Sequence, residues 1–250
     1  MNLVTTASPS YFDRSLPLLR SFRQFYPNDR IIYVYFGGLT PSLILSSISD
    51  IVAIEVPRVT PYAWDPRYFF FKAYAYKIAT ELSDSFLYLD SRHRILGEPK
   101  EIEQSLDTLG RFLVPYPPIP SFHNEVHTSS KCFSKMECNS PRFRSAQHYW
   151  AAIHAWKVSP LTIMFFNELY NWMLDEEIAG PPNTIEKPDS SICLHHRNDQ
   201  SVFSILIEKY KIGTQFSEEL VSKYGDIETL RAFGLNIRDK RIIAGRRDDV

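Results

Sequence analysis

The sequence predicts an α/β fold, in which helices cover both faces of a mostly parallel sheet. Three observations lead to this prediction. Within the first 56 residues, apolar strand-like runs alternate with helix-like segments. Strands joined by helical crossovers lie parallel in one sheet, and the crossovers pack on its faces. An apolar run at 85–89 then stops at Asp90, as a buried strand does where it leaves a sheet.

The totals are those of an ordinary globular protein. The 250 residues are 44% hydrophobic and 23% charged, which excludes wholesale disorder. A net charge of −1 disfavours nucleic acid or an anionic membrane as a partner. We expect a single domain over 1–250, with 213–250 forming a peripheral helix and tail.

Cysteine usage and the first residues bear on localisation. Cys132, Cys138 and Cys193 are odd in number and lack a paired metal spacing, which favours a reducing compartment. The start lacks the pattern of a signal peptide, and no apolar stretch reaches the length of a membrane span. We therefore expect a cytoplasmic protein.

The first five elements occupy residues 2–56. They are a strand at 2–7, a helix at 11–25, a strand at 31–36, a helix at 41–49 and a strand at 51–56. Pro17 weakens the first helix, because proline fits only a first helical turn. The first strand is not followed by G-x-G-x-x-G, the loop that lets a backbone approach a dinucleotide. A dehydrogenase-type nucleotide site is therefore disfavoured.

The strand that ends at Asp90 follows a proline-rich loop at 57–68 and a helix at 69–82 that carries Lys72. In open α/β sheets, ligands bind at the carboxyl ends of the strands. Asp90 is therefore a candidate site residue. Two alternatives remain open here: Asp90 caps the following turn, and Lys72 is a solvated surface charge.

The pattern is less regular after Asp90. We expect a helix at 98–107, a strand at 111–114 and an extended loop at 115–146. Histidines and cysteines of that loop match no metal-site template; they are His123, His127, Cys132 and Cys138. Residues 147–157 carry no assigned element.

Three further segments complete the chain. A helix at 159–178 is predicted to begin with Ser159 as its N-cap and to stop at Gly180. After a loop, Asn198 is predicted to cap a helix with Asp199 in its first turn. A charged tail at 238–250 is predicted to be solvated.

Three features, in this order, resemble nucleotide-sugar-dependent glycosyltransferases of the GT-A fold. They are the strand–helix start without dinucleotide glycines, residues 87–90 (LYLD) and residues 196–201 (HRNDQS). The resemblance covers about residues 1–212. It implies a GT-A, Rossmann-like domain and a hexosyl- or pentosyltransferase of glycan or polysaccharide biosynthesis. Such an enzyme moves a sugar from a nucleotide diphosphate sugar to a hydroxyl of a glycan or glycosylated acceptor.

The resemblance also implies site residues. Asp199 and Gln200 would face the sugar and the acceptor as catalytic residues, although Asp199 also suits a structural role at a helix start. Asp90 would hold the ribose or a divalent metal, and Lys72 would approach the diphosphate. The full substrate-binding set is Thr5, Thr6, Ala7, Tyr11, Lys72, Asp90, Ser91, Arg92 and His196.

One departure from the family pattern concerns the metal. The second metal-binding carboxylate would fall at position 92, where this chain has Arg92. A guanidinium cannot ligate Mn²⁺ or Mg²⁺, but it can pair with a diphosphate. The hypothesis is that Arg92 reduces or removes the metal requirement. A weaker site could use Asp90 with His93, or His195 and His196.

Other functions remain open at this point. One is a catalytically silent nucleotide-sugar or carbohydrate-binding module of the same fold. A nucleotidyltransferase is disfavoured, because the first strand is not followed by a glycine-rich basic loop. The acceptor side is predicted to include the 115–146 loop and the aromatic residues Trp64, Tyr149 and Trp150. Donor sugar, acceptor and stereochemical outcome are left open by the residues.

Overall fold

The computed structural model describes residues 1–180, 192–225, 230–231 and 238–245. Within these residues the main sheet has six strands, in the order β3-β2-β1-β4-β7-β6. They are β1 (Asn2–Ala7), β2 (Ile31–Tyr35), β3 (Ile51–Glu55), β4 (Ser85–Leu89), β6 (Arg111–Pro115) and β7 (Tyr149–Lys157). Strands β1 to β4 pair in parallel, whereas β7 is antiparallel to both of its neighbours. The predicted α/β fold with a mostly parallel sheet is confirmed.

Among the described residues, seven helices pack around the sheet. The seven are α1 (Phe12–Phe25), α2 (Ser42–Ser47), α3 (Phe70–Leu82), α4 (Lys100–Leu109), α8 (Pro160–Trp172), α10 (Asn198–Tyr210) and α11 (Glu218–Tyr224). Four further helices have four to six residues each: α5 (Asn124–His127), α6 (Ser130–Lys135), α7 (Pro141–Arg144) and α9 (Glu176–Ala179). No helix in the described ranges combines the length and apolarity needed to cross a membrane.

The central strands bury side chains on both faces. Alternate residues point to opposite sides of a strand, so neighbours such as Leu3 and Val4 enter different cores. Helices α3, α8 and α10 cover the face of Val4, and α1, α4 and α11 cover the face of Leu3. Burial on both sides explains why these strands read as continuous apolar runs.

Helix α1 tolerates a proline in its interior. Pro17 lies in the second turn, where it removes one main-chain donor and typically costs about 3 kcal/mol. The buried residues Leu18, Leu19 and Phe22 anchor the same helix to the sheet. Their burial, worth about 1.5–3 kcal/mol for each full-sized side chain, offsets the cost.

The segment after β6 differs from its prediction. Residues 115–146 are not an extended loop, because they form the short helices α5, α6 and α7 and bury Phe133 and Met136. Helices of four to six residues are too short to produce a periodic apolar signal. The unassigned residues 147–157 contain β7, which is held by pairing with β4 on one side and β6 on the other.

The helix predicted at 159–178 has a different end from the one predicted. It ends at Trp172, and α9 follows it as a separate turn of helix. Its predicted start is confirmed, because Oγ of Ser159 accepts a hydrogen bond from the Thr162 amide at 3.2 Å.

Part of the predicted solvated tail is a strand. Residues Ile243–Gly245 form β8, which pairs with β5 (His93–Ile95) in a small antiparallel sheet. Ile243 is buried, and the Leu96 amide donates to the Ile242 carbonyl at 2.7 Å. The tail prediction is therefore wrong at 243–245. An apolar pair, Ile242 and Ile243, lies between charged residues there, and pairing with a distant strand decides its conformation.

Candidate functional site

A pocket of about 360 Å³ opens at the carboxyl ends of β1 and β4. It is formed by the loops that follow β1, β2 and β4, by the start of α3 and by the turn before it. The residues predicted for substrate binding that line it are Thr6, Ala7, Tyr11, Lys72, Asp90, Ser91 and Arg92. Ser8, Phe36, Pro66, Arg67, Phe69 and Phe71 complete the lining. The carboxyl edge of the sheet, which the position of Asp90 predicts to be the binding side, thus carries a pocket.

Asp90 and Lys72 form an ion pair in the pocket wall. Nζ of Lys72 is 2.8 Å from Oδ1 of Asp90, and the Tyr88 hydroxyl donates to the same oxygen at 2.9 Å. The Asp90 side chain remains 32% exposed towards the pocket. The turn after β4 uses the main-chain carbonyl of Asp90, which accepts from the His93 amide, and not the carboxylate. Asp90 is therefore not simply a turn cap.

Lys72 is a buried cation. Its residue is only 7% exposed, so the alternative of a solvated surface charge is wrong. Burial by itself lowers the pKa of Lys72, but the charges of Asp90 and Asp199 outweigh burial and the pKa is raised. The side chain therefore carries a full positive charge at neutral pH beside the pocket.

Asp199, at the start of α10, approaches Lys72 from the other side. Its Oδ2 lies 3.9 Å from Nζ of Lys72, and the residue is 3% exposed. Among the described residues, this oxygen has no hydrogen-bond partner. Burial raises the pKa of Asp199 to about 6; Lys72 opposes this rise and Asp90 adds to it. A carboxyl group that titrates near neutral pH is suited to acid–base chemistry.

Gln200, like Asp199, has a buried side-chain atom without a hydrogen-bond partner among the described residues. Its Nε2 is buried and meets no acceptor within the part of the chain that the structure describes. Buried polar atoms without partners typically cost about 1–3 kcal/mol each, and they are uncommon in folded proteins. Asp199 and Gln200 are therefore consecutive residues that each have such an atom, and Asp199 lies beside Lys72.

Asn198 does not cap α10 as predicted. Its amide nitrogen instead donates to the carbonyls of Ala179 and Gly180 at the end of α9, and lies 3.4 Å from the Arg67 carbonyl. The backbone of Asn198 is left-handed, with φ 43°. These contacts hold the Asn198 side chain away from the start of α10 and connect α10 to the end of α9 and to the segment that carries Arg67.

We expect Asn198→Ala to destabilise the protein by about 2–4 kcal/mol, because buried carbonyls lose their donor and alanine disfavours a positive φ. Asn198→Gly should lose about 1 kcal/mol less, since glycine accepts that φ without strain. Chemical denaturation of both variants checks this. Equal losses would show that backbone strain at position 198 is not part of the effect.

Four predicted site residues lie outside the pocket lining: Asp199 and Gln200, described above, and Thr5 and His196. Thr5 is fully buried, and its hydroxyl donates to the Leu89 carbonyl at 2.7 Å, which joins β1 to β4. The His196 ring is held by main-chain groups: Nε2 is 2.7 Å from the Ile178 carbonyl, and Nδ1 accepts from the Ser129 amide at 3.3 Å. These contacts leave neither nitrogen of His196 for a ligand.

The predicted acceptor aromatics are mostly core residues. Trp150 is buried and stacks on Tyr116 with ring centroids 4.0 Å apart. The Tyr149 hydroxyl is buried against the main chain of Thr214. The acceptor prediction is wrong for these two residues, because β7 lies between two strands and both of its faces are covered. Trp64 is half-buried, with its indole donating to the Val56 carbonyl.

An aromatic wall is the main part of the pocket that the sequence interpretation missed. Phe36 and Phe71 stack with centroids 4.4 Å apart, and Nζ of Lys72 lies 5.3 Å from the Phe69 ring centroid. Phe69 has a left-handed backbone with φ 55°, a conformation that costs about 1–3 kcal/mol in a bulky residue. Such strain is concentrated at binding sites.

For two aromatic residues, Phe36 and Tyr88, the sequence does contain a pattern that predicts a position near Asp90. Phe36 follows β2 at the same edge where Asp90 follows β4. Tyr88 lies two residues before Asp90 and therefore on the same face of the strand. Arg67 and Phe69 had no such pattern, because they belong to a single 3-10 turn and its end, in a connection whose path depends on what it packs against.

The residues around Asp90 do not fit a divalent cation. Mn²⁺ and Mg²⁺ require several oxygen ligands in a compact shell. Here the ammonium of Lys72 already contacts Asp90, and Arg92 stands two residues after it. The His93 ring contacts the main-chain carbonyl of Asp90 at 3.0 Å. Throughout the described ranges, no group of three or more His, Cys, Asp or Glu side chains is placed to hold a metal.

Comparisons with known proteins assign no family to this chain: no family model matches the sequence, and no curated protein matches it significantly. Three basic side chains, Arg67, Lys72 and Arg92, line the pocket together with the carboxylate of Asp90. Arg67 pairs with Asp65, and Lys72 pairs with Asp90.

Proposed function

We propose that the protein binds a nucleotide diphosphate sugar in this pocket and transfers the sugar to a hydroxyl of a glycan or glycosylated acceptor. One observation carries the proposal. A buried ammonium, Lys72, contacts a strand-end carboxylate in the pocket and lies near a second carboxylate, Asp199, that titrates close to neutral pH. Sugar transfer requires such a pair of functions, a cation for the leaving diphosphate and a carboxylate near the sugar.

The lining suits the parts of such a donor. A flat base can pack on the aromatic side chains Tyr11 and Phe36 of the lining. Asp90 can accept hydrogen bonds from ribose hydroxyls, because its carboxylate is partly exposed. Lys72 and Arg92 carry the charge that a diphosphate requires.

In the proposed reaction, the bond between the anomeric carbon and the diphosphate oxygen breaks, and its electron pair leaves with the diphosphate. The acceptor hydroxyl oxygen forms the new bond to that carbon, and its proton passes to a carboxylate. Asp199 is the candidate for this proton, since its pKa of about 6 makes it an effective base at neutral pH. Lys72 stabilises the negative charge that develops on the leaving group.

A silent binding module is the second candidate. The burial of Asp199 favours it, because a residue that is 3% exposed does not touch a ligand in the pocket as the structure stands. Transfer by Asp199 requires a rearrangement that brings the carboxylate to the sugar. A module that only binds the donor requires none.

Donor binding is the direct test of the proposal. The thermal midpoint is measured with UDP-, GDP- and TDP-linked sugars, each with and without Mn²⁺. A ligand at 100 times its Kd stabilises the folded state by about 2.7 kcal/mol, which is a readily measured shift. Lys72→Met should remove the shift that is measured without Mn²⁺. Lys77→Met should keep it, because Lys77 lies on the same helix and pairs with Glu81.

The outcomes separate the two candidates. A shift followed by transfer or donor hydrolysis supports the glycosyltransferase. A shift without turnover, at any acceptor offered, supports the binding module. No shift with any donor, from a folded sample, contradicts both.

A further inference from the structure

Two carboxylates from distant parts of the chain face one point beside the pocket. Oδ1 of Asp90 is 2.8 Å from that point and Oδ2 of Asp199 is 3.9 Å from it. Asp90 follows β4, and Asp199 belongs to the first turn of α10. A position shared by two carboxylates at a ligand pocket is typical of a hard divalent cation. In this protein the point is occupied by Nζ of Lys72.

The surroundings favour an ammonium over a metal ion. The Tyr88 hydroxyl donates to Oδ1 of Asp90, the oxygen that also contacts Lys72. Lys72 enters from the start of α3 and is nine-tenths buried, so it cannot swing into solvent without exposing the wall. Its raised pKa keeps it protonated. The charge at this point is therefore supplied by the chain itself.

We infer that Lys72 takes the place of a divalent cation, so that the protein binds a diphosphate without metal and gains a metal site when Lys72 is removed. The identity of the diphosphate ligand rests on the proposed function. An ammonium has three donors, and Asp90 takes one of them, so the others can turn to a phosphate oxygen. Arg92, in the same lining, provides a second cation.

Titration with Mn²⁺ alone tests the metal half of this inference. Mn²⁺ binding is followed by electron paramagnetic resonance in wild type and in Lys72→Met, which keeps the side-chain length without the charge. We expect Lys72→Met to bind Mn²⁺ at least about tenfold more tightly than wild type, because a repelling charge is removed from between two carboxylates. Adding Asp199→Asn to Lys72→Met should abolish the gain. Lys77→Met should behave as wild type.

Two outcomes overturn the inference. One is saturable, micromolar Mn²⁺ binding by wild type that is lost in Asp90→Asn. The other is a folded Lys72→Met variant that binds Mn²⁺ no better than wild type. Near-UV circular dichroism establishes that the variant is folded.

A measurement on wild type keeps the inference testable if Lys72→Met does not fold. UDP, GDP and TDP are offered in EDTA and in Mn²⁺. An equal thermal shift in both conditions supports the inference, and a shift that appears only with Mn²⁺ overturns it. If none of the nucleotides binds in either condition, the proposed function fails, whereas the Mn²⁺ titration of wild type and of Lys72→Gln still decides the role of Lys72.

Discussion

Asp199→Asn is expected to make the protein more stable and to lower the proposed sugar transfer strongly. At pH 7.5 the wild-type carboxyl is ionised in a site that disfavours its charge, since its pKa is about 6 against 3.8 in the unfolded chain. The penalty corresponds to about 1–3 kcal/mol, which asparagine avoids at the same size. Loss of a general base typically lowers turnover by about 10²–10⁴-fold.

The pH dependence of the stability gain gives its cause. A raised carboxyl pKa means that the folded state holds a proton that the unfolded chain has lost. The wild-type penalty is therefore complete above pH 6 and disappears towards pH 4. The gain from Asp199→Asn should vanish over the same window. Thermal melts between pH 4 and pH 8 measure it, with Asp107→Asn as a control, because Asp107 is an exposed carboxylate on α4.

Either of two results would contradict this account of Asp199. One is full transfer activity in Asp199→Asn, which would remove the residue from the chemistry. The other is a destabilised variant at pH 7.5, which would show that the pairing of Asp199 with Lys72 outweighs the burial of its charge.

Acidification from pH 8 to pH 5.5 is expected to remove at least about 3 kcal/mol of folding free energy. Three fully buried histidines account for this figure, namely His127, His148 and His154. The lowered pKa values of His195 (about 4) and His93 add to the loss. Burial, reinforced by Arg197 and His195, lowers the pKa of His127 to about 3. Burial, reinforced by His127, lowers the pKa of His148 well below its usual value. Burial and the charge of Lys72 do the same for the pKa of His154.

The unfolded chain binds protons at these histidines more readily than the folded protein does. Below pH 6.5 the unfolded histidines are protonated while the folded ones stay neutral, so stability is complete above that pH and falls below it. Each group contributes a loss of about 1.4 kcal/mol at pH 5.5. Asp199 opposes the three by about 1 kcal/mol, because its folded form takes up a proton in the same range.

Urea denaturation from pH 8 to pH 5.5 measures the effect. His154→Phe provides a matched variant, since the His154 ring already stacks between Tyr88 and Phe203 with centroid distances of 5.1 and 5.0 Å. As the pH is lowered, the stability of His154→Phe should fall less steeply than that of wild type. At the acid end, the difference between the two slopes should correspond to about one bound proton. A stability that is flat between pH 8 and pH 5.5 would contradict the neutral, buried state of these histidines.

The parts of the fold that the sequence predicted share one property. Strands β1, β2, β3 and β4 are apolar runs bounded by turn residues, and the chain forms them wherever they can be buried. The segments that were misread are short, as α5 to α7 are, or depend on remote partners, as β7 and β8 do. In those segments local preference is weak and pairing decides the conformation.

The candidate site divides in the same way. By itself, the sequence determined that Asp90 ends a buried strand and that Lys72 precedes it on a helix, because apolar periodicity reports the burial of each segment separately. Only the tertiary structure decided that Lys72 is buried between Asp90 and Asp199, that Asn198 is bound to the end of α9, and that an aromatic wall faces them. These contacts join residues up to 127 positions apart, and they exist only once the two cores have packed against the sheet.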